Sequence, residues 1–228
     1  MSNPEPLLLD SRFIENLSKV IYDYRIVIKL FLDIETIPAH EDNHEVLREI
    51  HAKNNKNKST ARLDFEKYVS QTSFDGGFGR IACLSYAVND EVVKTLSGDE
   101  TKILQKFWEI AKDIDLFIGF NIMEFDLRFI YQRSIVLKVK PTKFLNFARY
   151  RSDPIYDIMH EWKRWNMTAS ISLDTLAKML GLPTSKDGGI EGKDVAQAYR
   201  DGRIKEICEY CERDVELTRK IYKRMNFE

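Results

Sequence analysis

The chain has 228 residues, 43% of them hydrophobic and 31% charged, with 35 Lys and Arg against 36 Asp and Glu. That is room for one large domain, or a domain with a small accessory segment, built round a substantial core. A net charge of -1 argues against non-specific nucleic-acid binding through a broad basic face, although acids gathered round divalent ions would reverse that potential locally.

The longest apolar run, IVIKLFL, is too short to cross a bilayer and carries Lys29; the opening MSNPEPLLLD lacks a signal peptide's basic start and cleavage site. Three cysteines do not make a disulfide framework, so a soluble protein of the reducing cytoplasm, with no membrane partner, is expected. Residues 1–25 read as an N-terminal extension, helical or irregular, and 26–228 as a single domain. RIVIKLFLDIE, residues 25–35, reads as a central strand. Ile26, Ile28, Leu30, Leu32 and Ile34 line one face; Val27 and Phe31 lie on the other, where the alternation continues into Asp33 and Glu35.

Residues 41–79 show little regularity: HAKNNKNKSTAR is polar and exposed in character, and DGGFG is a loop. RIACLSYAV and EVVKTLS, separated by ND, form a predicted hairpin. DETKILQKFWEIAKD is amphipathic, with Ile103, Leu104, Phe107 and Ile110 on one face. DLFIGF reads as a short buried strand and MEFDLRFIYQRSIVL as the next helix. SLDTLAKMLGLP has an N-cap at Ser172 and a stop at Gly181 and Pro183, and a long helix closes the chain over RIKEICEYCERDVELTRKIYKRM. Strands followed by alternating strands and helices predict an α/β or α+β sheet flanked by helices, with a site at the strand end that carries Asp33 and Glu35.

Three pieces of sequence could supply that site. DIET places Asp33 and Glu35 together. GFNIMEFDLRFI puts Asn121, Phe125 and Asp126 at a strand-to-helix junction. YCERD sets Tyr210 and Asp214 four residues apart on one helical face, about 6 Å from each other. Singly, each has a plainer reading: a solvated strand end, a helix start capped by its own Asp, and a core phenol beside a surface acid. Together and in this order they are expected to bring four carboxylates and a phenol to one cleft.

The ordered set DIET, GFNxxxFD and YxxxD resembles the three motifs of the DEDD 3′–5′ exonuclease superfamily in its tyrosine-bearing (DEDDy) branch. GRIACLSYA, SLDTLAKMLGLP and GGIEGKDVAQAYRDGRIKEICEYCERDVELT look most like the stand-alone predicted exonuclease family related to the proofreading domain of family B DNA polymerases. The resemblance covers residues 26 to 225; where the histidine branch would have His, this chain has Glu209. It implies a ribonuclease H-like mixed sheet flanked by helices, and two divalent cations, Mg2+ or Mn2+, held by Asp33, Glu35, Asp126 and Asp214. Asp33 would be shared by both ions, Glu35 and Asp214 would complete the first, and Asp126 would hold the second, partly through water. Tyr210 would orient the attacking water. Thr36 would lie against the terminal nucleotide, and Asn121 and Phe125 would hold a single-stranded 3′ end, DNA ahead of RNA. Lys186 and Lys193 are candidates to steady a phosphate, against plain solvated lysines. No polymerase domain follows in this sequence. The alternatives are a 3′–5′ exoribonuclease of the same branch and a catalytically silent nucleic-acid-binding module.

Other signals are set aside. GGIEGKD is one residue short of a phosphate-binding loop, and Asp194 stands where Ser or Thr should be, so no nucleotide cofactor is expected. Cys208 and Cys211 form a CxxC without a second pair; reduced thiols packed on a helix are favoured over a structural zinc completed by His40, His44 or His51. Trp108, Trp162 and Trp165 read as core or loop anchors, with EWKRW a weaker candidate to guide a nucleic-acid strand.

Overall fold

The computed structural model describes residues 27–56, 64–166, 168–184 and 189–228. The N-terminal extension, most of KNKSTAR and Lys186 therefore lie outside the described residues. The described residues form a mixed sheet of five strands in the order β3-β2-β1-β4-β5. These are β1 (Lys29–Ile37), β2 (Arg80–Val88), β3 (Lys94–Ser97), β4 (Leu116–Gly119) and β5 (Ile155–Asp157). β1 is antiparallel to β2 and parallel to β4, and β5 continues the parallel half.

The central strand keeps the expected alternation but runs from Lys29 to Ile37. Leu30, Leu32 and Ile34 enter one core with Leu104, Phe107, Trp108, Phe117 and Phe129. Phe31 enters the opposite core with Leu176, Val215 and Ile221. A bulge between Glu35 and Thr36 pairs them with Cys83 and Ile81 and skips Ala82, so that Ala82 and Cys83 both face a third cluster containing Ile37, Ile207 and Cys211. Such an extra residue bends the strand end next to a site.

Helices cover both faces. α3 (Glu100–Ala111) is capped by the Asp99 carboxylate, which accepts from the Lys102 amide. It buries Trp108, whose indole N–H donates to Ser134 Oγ of α4 (Asp126–Val136) at 2.8 Å. The Glu100 carboxylate takes a two-pronged ion pair from Arg133 and also accepts from the Ile81 amide at 2.8 Å, fixing α3, α4 and β2 to one another. On the other face lie α6 (Leu173–Met179), capped by Ser172 as expected, and the long α8 (Ile204–Met225).

Several elements depart from the reading of the sequence. Residues 41–79 hold two helices, α1 (His44–Lys56) and α2 (Phe65–Gln71), joined by ring contacts of His44 and His51 with Phe65. Apart from the fully buried Leu47, their shared face is polar-aromatic, which an apolar-periodicity argument passes over. β3 begins at Lys94, not Glu91: Asn89 turns with φ 49 and the Arg219 guanidinium binds the Asn89 and Glu91 carbonyls, holding residues 89–93 off the ladder. The helix expected from Met123 starts at Asp126, because residues 121–125 form a turn. β5, α5 (Ile158–Trp162) and α7 (Val195–Arg200) are additional. Trp108 is a core residue. Trp165 stacks on His160 with ring centroids 4.6 Å apart, and Trp162 is partly exposed.

Candidate active site

Asp33 and Glu35 reach the site from β1 on the face covered by α8. There Asp214 meets them: each of the three offers a carboxylate oxygen, and these oxygens lie within 4.8 Å of one another. Asp214 is buried, while Asp33 and Glu35 keep a partly open edge. Tyr210, one turn earlier on α8, is half-buried with its phenol beside Asp214. The plain reading of a core phenol beside a surface acid is thus reversed. Cys211, between them, lies with its thiol 3.3 Å from the Asp33 carboxylate.

Asp126 arrives from the other side. The pairing of β1 with β4 ends at Phe31, and three residues on, the Asp126 carboxylate accepts from the Ile34 amide at 3.0 Å. A side chain therefore takes the place of the missing strand. That contact spans 92 residues, so Asp126 is not merely the cap of its own helix. It lies against the peptide that joins Asp33 to Ile34, outside the tight group of three.

So many buried acids favour their protonated forms when no cation is present. Burial pushes the Asp33 and Glu35 carboxyls well above the ordinary range, and the Cys211 sulfur and neighbouring carboxylates add to this. Burial also raises Asp126, to about 7, against the opposing bonds from the Ile34 amide and its own. The Tyr210 phenol is driven up by burial and by the charges of Asp214, Glu35 and Asp33. A cluster of hard oxygen donors in this electrostatic state is chemically suited to a divalent cation.

A family described as predicted 3′–5′ exonucleases related to the exonuclease domain of PolB matches residues 75–227. The chain belongs to that family. The matched stretch includes Asp126, Tyr210 and Asp214; Asp33 and Glu35 precede it and join them through the sheet. The structure of the family B DNA polymerase from the hyperthermophilic archaeon Pyrobaculum calidifontis superimposes with a TM-score of 0.62 at 17% identity, over 89% of this chain and 25% of that one. The chain thus spans a quarter of that polymerase and shares its fold over that part, the ribonuclease H-like α/β architecture. No curated protein matches the chain.

The remaining positions singled out in this family member fall as follows. Thr36 donates from its hydroxyl to the Ser73 carbonyl at 2.7 Å, fixing the strand end against the turn Thr72–Phe74. Asn121 sits at φ 60 in the β4–α4 turn, and Phe125 is partly buried against Phe129. Lys193 is exposed and paired with Glu191 at 3.2 Å, on the turn before α7.

Asp157, at the end of β5, escaped the sequence reading. Buried to 1% exposure, it accepts from the amides of Asn121 at 3.2 Å, Met123 at 3.0 Å and His160 at 3.2 Å. It clamps the turn that delivers Asn121, Phe125 and Asp126. The only signal was the acid in PIYDIM, three residues before a His, and without β5 that pattern had no place.

Proposed function

We propose that this chain is a metal-dependent 3′–5′ exonuclease of the tyrosine-bearing branch, acting on single-stranded DNA ends. The observation that carries the reading is the convergence of the Asp33, Glu35 and Asp214 oxygens within 4.8 Å, with Asp126 bound to the adjoining Ile34 amide. Asp33, Glu35 and Asp214 would hold one cation, and Asp126 together with Asp33 would hold a second. Bound Mg2+ or Mn2+ would supply Lewis acidity for phosphodiester hydrolysis and neutralise charge on the leaving 3′ oxygen.

The side chains divide the rest of the work. A phenol held above its usual pKa by burial and carboxylates stays protonated at neutral pH, so Tyr210 cannot act as a base. With its O–H directed at Asp214, its oxygen is left to accept from the attacking water and fix its direction. Thr36 stands where the terminal nucleotide would end, and Asn121 and Phe125 hold the strand from the β4–α4 turn; an aromatic face accepts any base. Lys193 would steady a phosphate from the turn before α7, and Lys186 is a second candidate on sequence alone.

The test is digestion of matched 5′-labelled single-stranded DNA and RNA with Mg2+, Mn2+ or EDTA, beside an Asp126→Asn control. The expected result is a metal-dependent ladder shortening from the 3′ end, faster on DNA and lost in the control. A faster RNA ladder would reassign the substrate; cleavage that survives EDTA or the substitution would overturn the mechanism.

A further inference from the structure

Past Glu35, β1 continues through Thr36 and Ile37 into Pro38, Ala39 and His40, and these residues open onto a cleft of about 600 Å³. Its first strand residue, Ile37, lies about 7 Å along the strand from Glu35. Ile37 packs in one cluster with Val195 and Ala198 of α7 and with Cys211, the residue whose thiol touches Asp33. The alternation of Asp33, Glu35 and Ile37 along β1 puts the cleft on the same side of the sheet as the acids, with the buried cluster of Ile37, Val195, Ala198 and Cys211 between the two.

Its walls differ in chemistry. On one side stand Tyr199 and Arg200 of α7 and Arg80 at the start of β2; on the other stand Glu41, His44 and Glu66. Arg80 is anchored by its Nε, which donates to the Pro38 carbonyl at 3.2 Å, and its guanidinium lies 5.8 Å from the centre of the Tyr199 ring. Tyr199 is 37% exposed, enough to present a ring to an incoming base.

We infer that this cleft is an upstream subsite for the single strand whose 3′ end lies at the acids. Tyr199 stacks on one base, and Arg80 and Arg200 take the adjoining phosphates. Guanidinium groups suit phosphate oxygens, and base stacking on an aromatic ring tolerates any sequence. The acidic wall fixes the orientation, because Glu41 and Glu66 repel phosphates but accept hydrogen bonds from base amino groups. The volume accommodates a nucleotide, and its nearness to Glu35 makes that nucleotide one of the last few before the end. The inference rests on the exonuclease reading above, and it adds a binding determinant that the family's acids do not supply.

The test measures fluorescence anisotropy of a 5′-labelled single-stranded DNA in EDTA, so that binding is read without turnover. Tyr199→Ala should raise Kd about fivefold or more, while Tyr199→Phe, which keeps the ring, binds like the wild type. A single abasic site moved through the last few positions should weaken wild-type binding at one of them and make no further difference in Tyr199→Ala. Wild-type Kd in a Tyr199→Ala protein with native circular dichroism, or an abasic penalty undiminished by it, would overturn the subsite. Digestion by the same wild-type preparation separates the two readings. Active enzyme with no Tyr199 effect removes only the subsite; a Tyr199 effect without hydrolysis keeps the subsite and removes the nuclease.

Discussion

Asp157→Asn is the substitution that most directly probes how the site is held together. It changes almost no volume, but it replaces one acceptor oxygen with an amide NH2, a donor, at a carboxylate whose two oxygens receive three backbone amides. One oxygen takes the Asn121 and His160 amides and the other takes Met123, so whichever way the new amide faces, at least one buried donor meets another donor. Leaving a buried donor unpaired costs about 1–3 kcal/mol. For a domain of this size each kcal/mol is about 2–4 °C in Tm, which gives a fall of about 2–12 °C. Turnover should fall as well, because the loosened turn carries Asp126. Thermal melts by circular dichroism, run beside exonuclease assays well below the melting range, read both effects. A variant that melts with the wild type and digests at the wild-type rate would refute the argument that Asp157 positions the turn.

Asp33→Asn should abolish hydrolysis and leave the melting temperature near or above that of the metal-free wild type, since a neutral amide replaces a carboxyl that burial already drives toward its uncharged form; wild-type turnover would end the metal-site reading. Tyr210→Phe should slow hydrolysis about 5–30-fold without eliminating it, the loss of one positioning hydrogen bond worth about 1–2 kcal/mol, and an unchanged rate would remove the water-orienting role. In the metal-free protein Asp126 titrates at about 7, above its unfolded value near 4. Between these values the folded state holds a proton that the unfolded chain has lost, so this group stabilises at acid pH and the contribution disappears as pH rises through 7. Melting temperatures in EDTA should therefore fall from pH 5 to pH 8 more steeply for the wild type than for Asp126→Asn; parallel slopes would contradict the raised carboxyl. Adding Mg2+ at about 100 times its Kd should restore about 2.7 kcal/mol, seen as a rise in Tm that Asp33→Asn lacks.

The parts of the fold that follow a single periodicity were legible in the chain. The alternation through Leu30, Leu32 and Ile34 gave the central strand and put Asp33 and Glu35 on one face, and the spacing of Tyr210 and Asp214 gave their shared side of α8. Elements stabilised by distant partners were not. β5 is three residues long and exists by pairing with β4. The start of β3 is set by Arg219, 130 residues from Asn89. The role of Asp157 depends on amides 34 and 36 residues earlier in the chain. Local pattern carries no record of such partners.

The bond from the Ile34 amide to Asp126 has a practical consequence for how inactive variants are made. The amide is buried with its acceptor, and a buried donor without a partner costs about 1–3 kcal/mol. Truncation to alanine would remove the acceptor together with the ligand, leaving a strand amide unpaired in the interior. A silent Asp126→Ala protein that also melts early would then report on lost folding stability as well as on chemistry. Asn at this position keeps an acceptor for the Ile34 amide and is the better blank.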